Sequence, residues 1–297
     1  MVQLRAASAE AAPAALTWIL APAAVAPSRW QLADIDFAGI DRTAIADDKL
    51  VSEVVLLASF IETGSDLYAG NLIAYFDGDA DLARWLRESW QPEEVQHGHA
   101  LRAYAEAVWP AIDWPRRYDR FFASYSATCT VGLLEPAPAL ELVARCMVET
   151  GTATFYGALH NYAREPVLKD LAGRIFADEV RHYKHFYRHF RRYQQREQHS
   201  RWAIGRTLMQ RLRETRTGDG YHAYREVRSA GDARDQPSLE ADYRAFTAAF
   251  TALVERHGPR EMSIRMGLKP LQLPAALLAW LVRHEASVYA LWRRCGG

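Results

Sequence analysis

Apolar residues recur at helical spacing along most of the chain, and strand-like alternation is scarce. The pattern predicts a first long helix from about Asp47 to Tyr75, stopped by the turn Asp77-Gly78-Asp79. A second runs from about Ala80 to Val108 and ends at Pro110, a third from about Ala139 to Tyr162, and a fourth from about Val167 to Arg196. Short links join the first helix to the second and the third to the fourth. The stretch between the two pairs carries Pro115, Gly132, Pro136 and Pro138, with a short helix near Tyr118 to Tyr125. Two hairpins and one long link are the connectivity of an all-α four-helix bundle with a single crossover. The expected division is an irregular segment over 1–40, the bundle over 41–197, and a helical extension over 198–297 packed on the bundle.

Polar residues inside this pattern carry the chemistry. The first helix reads Val54-Val55-Leu56-Leu57-Ala58-Ser59-Phe60-Ile61 before it reaches Glu62, so it is apolar on nearly all sides. A carboxylate there is costly unless paired or bound to a cation. Glu149 follows Cys146-Met147-Val148 in the same way. Each of the other two helices carries a Glu-x-x-His unit, Glu94 with His97 and Glu179 with His182. Residues three apart share a helix face, so each unit offers a carboxylate and an imidazole in one direction.

Spacing tests whether these groups meet. Glu62 lies 15 residues before Asp77 and Glu94 lies 17 after it; Glu149 lies 16 before Glu165 and Glu179 lies 14 after it. Positions equidistant from a hairpin turn meet at one height. At a rise of ~1.5 Å per residue, a two-residue mismatch is about half a turn. One Glu from each of two helices and one Glu-x-x-His from each of the others is the ligand pattern of ferritin-like di-iron and di-manganese carboxylate proteins. Oxygen and imidazole donors suit iron or manganese. The sequence thus predicts two metal ions, iron or a Mn/Fe pair, held by Glu62, Glu94, His97, Glu149, Glu179 and His182.

Composition narrows the setting. The 297 residues are 49% hydrophobic and 24% charged, an ordinary globular mix. Basic and acidic residues balance at 36 each, so no global field draws the chain to nucleic acid. The three cysteines form no CxxC pair, which argues against a zinc ribbon or disulfide framework and fits a reducing compartment, the cytoplasm. The apolar stretch at 11–26 is interrupted by Pro13 and Pro22 and is not read as a secretory signal.

At these residues the chain resembles the soluble acyl-carrier-protein desaturases. Trp90-Gln91-Pro92-Glu93-Glu94-Val95-Gln96-His97-Gly98 is similar to that family's W-x-x-E-E-x-x-H-G segment, and Ala177-Asp178-Glu179-Val180-Arg181-His182 to its A-D-E-x-R-H segment. Glu149-Thr150-Gly151-Thr152 is similar to its third-helix E-x-x-T. The likeness covers about 45–195. It implies O2 activation and hydrogen removal from an unactivated C–H bond of a hydrophobic or acyl substrate. By the same resemblance, Thr152 assists proton delivery, and Asp178 contacts His97 across the bundle. Implied partners are a ferredoxin or reductase as electron donor, an acyl carrier protein, and a second copy in a homodimer. The same ligand order occurs in ligand-binding manganese/iron oxidases, but the positions of their tyrosine–valine crosslink correspond to Ser65 and Ala144. The seventh ligand of the arylamine N-oxygenases corresponds to Ile175.

Other features remain open at this point. The stretch Arg181 to Tyr193 is basic and aromatic, suiting either an acidic partner or solvent. His185 and His189 continue the face of His182, as extra ligands or as packing. Tyr156 and His160 continue the face of Glu149, as cavity or hydrogen-bonding residues. The alternative to an O2-activating enzyme is an iron-handling protein, a ferroxidase or store without an organic substrate.

Overall fold

The computed structural model describes residues 30–217, 219–228 and 236–295. Readings that fall on 1–29, on Gly218 or on 229–235 lie outside the described residues. After two single 3-10 turns at Leu32–Asp34 and Phe37–Gly39 and a short helix α1 (Arg42–Ile45), the first bundle helix α2 spans Lys49–Tyr75. The Asp48 carboxylate accepts from the Val51 amide and caps it, satisfying a donor that helix geometry leaves free. Helix α3 (Ala80–Trp85), a π-helical turn (Leu86–Trp90) and α4 (Gln91–Val108) follow. The sequence read 80–108 as one uniform helix, and the π turn is the correction.

The crossover carries α5 (Trp114–Ser126), longer than the segment expected there. Helix α6 (Pro138–Tyr162) begins on a proline whose missing N–H costs nothing at that position. Helix α7 (Pro166–Glu197) starts the same way and ends at Gln198, whose φ of 54° is left-handed. Glu165 caps α7 by accepting from the Val167 and Leu168 amides, and also accepts from the Tyr104 hydroxyl. That fully buried carboxylate therefore ties α4 to the turn between α6 and α7.

Helices α2 with α4 and α6 with α7 make the two hairpins, and α4 meets α7 between them. The result is an all-α, ferritin-like four-helix bundle with one long crossover. The remaining helices are α8 (Arg201–Thr217), α9 (Asp219–Arg228), α10 (Gln236–His257), α11 (Arg260–Leu268), α12 (Ala275–Arg283) and α13 (Glu285–Cys295). Helices α8, α10 and α11 lie on α6, and α9 lies on α2 and α5, so these four cover the bundle, while α12 and α13 lie against α11. On α12, Leu277 and Trp280 are exposed. No helix among the described residues is long and apolar enough to cross a membrane.

Gly98 sets the spacing of the first hairpin. A Cβ there would lie 2.5 Å from the Thr63 amide nitrogen and 2.8 Å from its Cα. The backbones of α2 and α4 touch at that point, one residue from Glu62 and one from His97.

Candidate metal centre

All six residues selected from the sequence converge in the bundle interior. Ligand atoms of Glu62, Glu94, His97 and Glu179 lie within 4.8 Å of one another, as do those of Glu94, Glu149, Glu179 and His182. Glu94 and Glu179 belong to both groups, so the two groups are adjacent. Each of the six side chains is buried, His97 completely.

The donor atoms are crowded but unsatisfied. His182 Nδ1 lies 2.9 Å from Glu94 Oε1 and 3.5 Å from Glu149 Oε2, and His97 Nδ1 lies 3.3 Å from Glu179 Oε1. None of these five atoms makes a hydrogen bond of acceptable geometry. Orphaned polar atoms are rare in a protein interior. Their mutual approach from three helices, α4, α6 and α7, with Glu62 of α2 beside them, fits a cation between them.

Charge leads to the same reading. Burial, then repulsion from neighbouring carboxylates, pushes the Glu62 carboxyl well above its ordinary range. The same causes raise Glu94 to about 7 and Glu149 to about 8. Burial opposes the charged imidazoles, yet contacts with Asp178 and Glu179 raise His97, and contacts with Glu149, Glu93 and Glu94 raise His182. The cluster is short of positive charge. Without metal it takes up protons; divalent cations meet the same deficit. The donor set therefore fits a dinuclear metal site.

The imidazoles are held from behind by carboxylates on the opposite helix. His97 Nε2 faces Asp178 Oδ2 at 3.1 Å, and His182 Nε2 faces Glu93 Oε2 at 2.7 Å. A carboxylate only accepts, so each Nε2 donates and, in the neutral ring, each Nδ1 turns a lone pair to the cluster. Arg181 joins the two supports, donating to Asp178 Oδ1 and Glu93 Oε2, both at 2.7 Å. The Trp30 indole N–H donates to Asp178 at 2.8 Å, and its ring lies parallel to His97. Burial pushes the Asp178 carboxyl up, but His97, Arg181 and Trp30 together hold it down to about 2.

The expected contact between Asp178 and His97 is thus present. The Thr152 hydroxyl donates to Glu179 Oε2 at 2.6 Å and also lies 3.3 Å from the Val148 and Glu149 carbonyls. Tyr156 donates to Glu62 Oε1 at 2.5 Å, whereas His160 bonds the Lys169 carbonyl away from the cluster. His185 and His189 lie in neither ligand group and stack against Trp85.

Sequence reasoning passed over Glu93, Arg181 and Trp30. A signal for Glu93 was there: an acidic residue precedes the Glu of both Glu-x-x-His units, Glu93 in one and Asp178 in the other. Trp30 sits in an irregular segment, where no periodicity assigns a direction.

Fold and site together define a ferritin-like protein with a buried carboxylate–histidine cluster suited to two metal ions. Among solved structures, the chain is similar to variants of an R2-like ligand-binding oxidase. One with an aerobically reconstituted Fe/Fe cofactor is 15% identical, with 91% of this chain and 89% of that chain covered and a TM-score of 0.42. Another with an aerobically reconstituted Mn/Fe cofactor is 15% identical over the same shares, with a TM-score of 0.40. These likenesses are distant. No family model and no curated protein matches the chain.

Proposed function

We propose that Glu62, Glu94, His97, Glu149, Glu179 and His182 bind two iron ions, or one manganese and one iron, and that the protein is an O2-dependent oxidoreductase. The observation that carries this reading is the pair of adjacent four-residue groups sharing Glu94 and Glu179. Two reduced ions held there would supply electrons for activating O2. The chain's own residues supply the setting. Asp178 and Glu93 fix the two rings through Nε2, and the rings, with Arg181 behind them, hold those carboxyls below their ordinary range. Tyr156 holds one oxygen of Glu62. Thr152 places a hydroxyl proton on Glu179 Oε2, where it can be passed inward. Leu142, Ala153, Leu171 and Ile175, all fully buried on α6 and α7, add apolar bulk to the bundle that keeps bulk water out.

The motifs shared with the acyl-carrier-protein desaturases support desaturation or hydroxylation of a hydrophobic, carrier-bound substrate. In that reading a ferredoxin or reductase delivers electrons and the chain works as a homodimer in the cytoplasm. A ferroxidase without organic substrate is the competing reading, because the buried carboxylates alone suffice for ferrous iron.

The test is anaerobic loading with ferrous iron followed by O2, with and without acyl-carrier-bound fatty acids, reading O2 uptake and product mass. Substrate-dependent uptake with a product lighter by two hydrogens or heavier by one oxygen is expected. Uptake that ignores every substrate and ends in released ferric iron would instead establish the ferroxidase.

A further inference from the structure

Helix α12 does not hide its apolar side. Residues 275–282 are all apolar, Arg283 is the helix's one charge, and none of its nine residues is buried. Leu277 is 43% exposed and Trp280 49%. Trp202, 74% exposed, lies on α8 next to Arg201, whose guanidinium donates to the Gln272 carbonyl at 3.1 Å just before α12 begins. Three of the five large apolar side chains that stand exposed among the described residues therefore belong to this end of the molecule. Apolar surface gathered in this way marks a contact that the folded chain does not itself supply.

The charge around it is one-sided. The whole chain balances 36 basic against 36 acidic residues. Yet α8 carries five arginines against the single acid Glu214, and residues 260–297 carry six basic side chains against Glu261 and Glu285. Both of the latter are already paired, Glu261 with Arg265 and Glu285 with Arg260. Arg283 is exposed at the end of α12 and forms no ion pair with a described residue. Lys269, on the 3-10 turn Lys269–Leu271 that α8 touches, and Arg206 on α8 lie over the rings of Tyr187 and Trp202. An apolar helix with cations around it asks for a partner that is apolar and anionic at once.

We propose that α12 and the adjoining start of α8 dock on an anionic lipid bilayer. Leu277 and Trp280 enter the boundary between headgroups and acyl chains, where an indole ring is favoured, and Arg283 meets lipid phosphate. Nine residues rise only ~14 Å along a helix against a hydrocarbon core of ~30 Å, so α12 lies in the plane of the interface and does not cross it. A second copy of the chain fits this surface less well, because two-fold symmetry sets each cationic patch against its own image. An acidic protein also fits less well: residues 275–282 offer one hydrogen-bonding side-chain group, the Trp280 indole N–H, and acyl chains ask for none. The metal cluster plays no part in the docking.

The experiment is flotation of the full-length protein with vesicles of phosphatidylcholine alone or mixed with phosphatidylglycerol, at low and high salt, with tryptophan emission read alongside. Binding to the mixed vesicles is expected, weakened by salt and accompanied by a blue shift. Leu277→Ser and Trp280→Ser should each weaken it by about tenfold, the scale of one large apolar side chain left in water. Arg283→Gln should weaken it by about fivefold. All three side chains are exposed, and circular dichroism confirms that the variants fold. No binding to mixed vesicles at low salt overturns the proposal, as does binding indifferent to Leu277→Ser and Trp280→Ser. A dimer that excludes vesicles and is dissociated by Trp280→Ser would give the surface to a second copy. Vesicle binding gained only on deletion of residues 1–29 would give it to that segment. Binding of acyl carrier protein, lost in Trp280→Ser, without binding of vesicles would give it to an acidic protein. Each of these three outcomes also overturns the proposal.

Discussion

Asp178 shows how one side chain acts through another. It touches no candidate metal position, yet it fixes His97 Nε2 and is itself held by Arg181 and Trp30. Asp178→Asn should keep the fold and weaken metal binding by about 10- to 100-fold, read by competition with a chelator of known affinity. Thr152→Val should leave metal content unchanged and slow the reaction with O2 by about 100-fold if its hydroxyl relays a proton; Thr152→Ser should restore it. His189 supplies a test by pH. Its folded value of about 4 lies below the ordinary 6.5, so the unfolded chain binds the proton more tightly. Its share of stability is complete above about pH 6.5 and is lost as pH falls toward 4. Chemical denaturation of His189→Gln between those limits should show a shallower fall than wild type.

The hairpins explain why side chains so far apart in sequence meet. Their register was legible from the turns at Asp77 and Glu165, because a helix rise is fixed and counting residues measures height. The two-residue mismatch in the first hairpin had no explanation in the sequence. The π turn at Leu86–Trp90 absorbs part of it, since a wider turn consumes an extra residue just before Glu93 and Glu94. Nothing in the apolar pattern marks that turn. Gly98 is the second control of register. Gly98→Ala would push α2 from α4 at Thr63 and displace Glu62 from His97. It should lower the melting temperature and metal content together. Gly70, also on α2, has open space where a Cβ would stand. Gly70→Ala should stabilise by about 0.5–1 kcal/mol with metal content intact.

Over the whole molecule, a stable bundle encloses a repulsive centre. The α8, α10 and α11 helices lie on α6, which carries Glu149 and Thr152, and thicken the apolar wall behind the cluster. The expectation was a helical extension over 198–297 packed on the bundle; α8 to α11 touch bundle or crossover helices while α12 and α13 meet α11, and periodicity could not assign these neighbours, because it gives a helix its buried face but not its partner. The supports at Glu93 and Arg181 escaped for a related reason: they act between helices, and a sequence shows only what each helix offers.

The most direct measurement is anomalous diffraction, at the iron and manganese absorption edges, from crystals of the metal-loaded protein. The account predicts two peaks roughly 3.5–4 Å apart, one beside Glu62 and His97 and the other beside Glu149 and His182, with Glu94 and Glu179 adjoining both. A single peak, or none within reach of these six side chains in fully loaded protein, would contradict it.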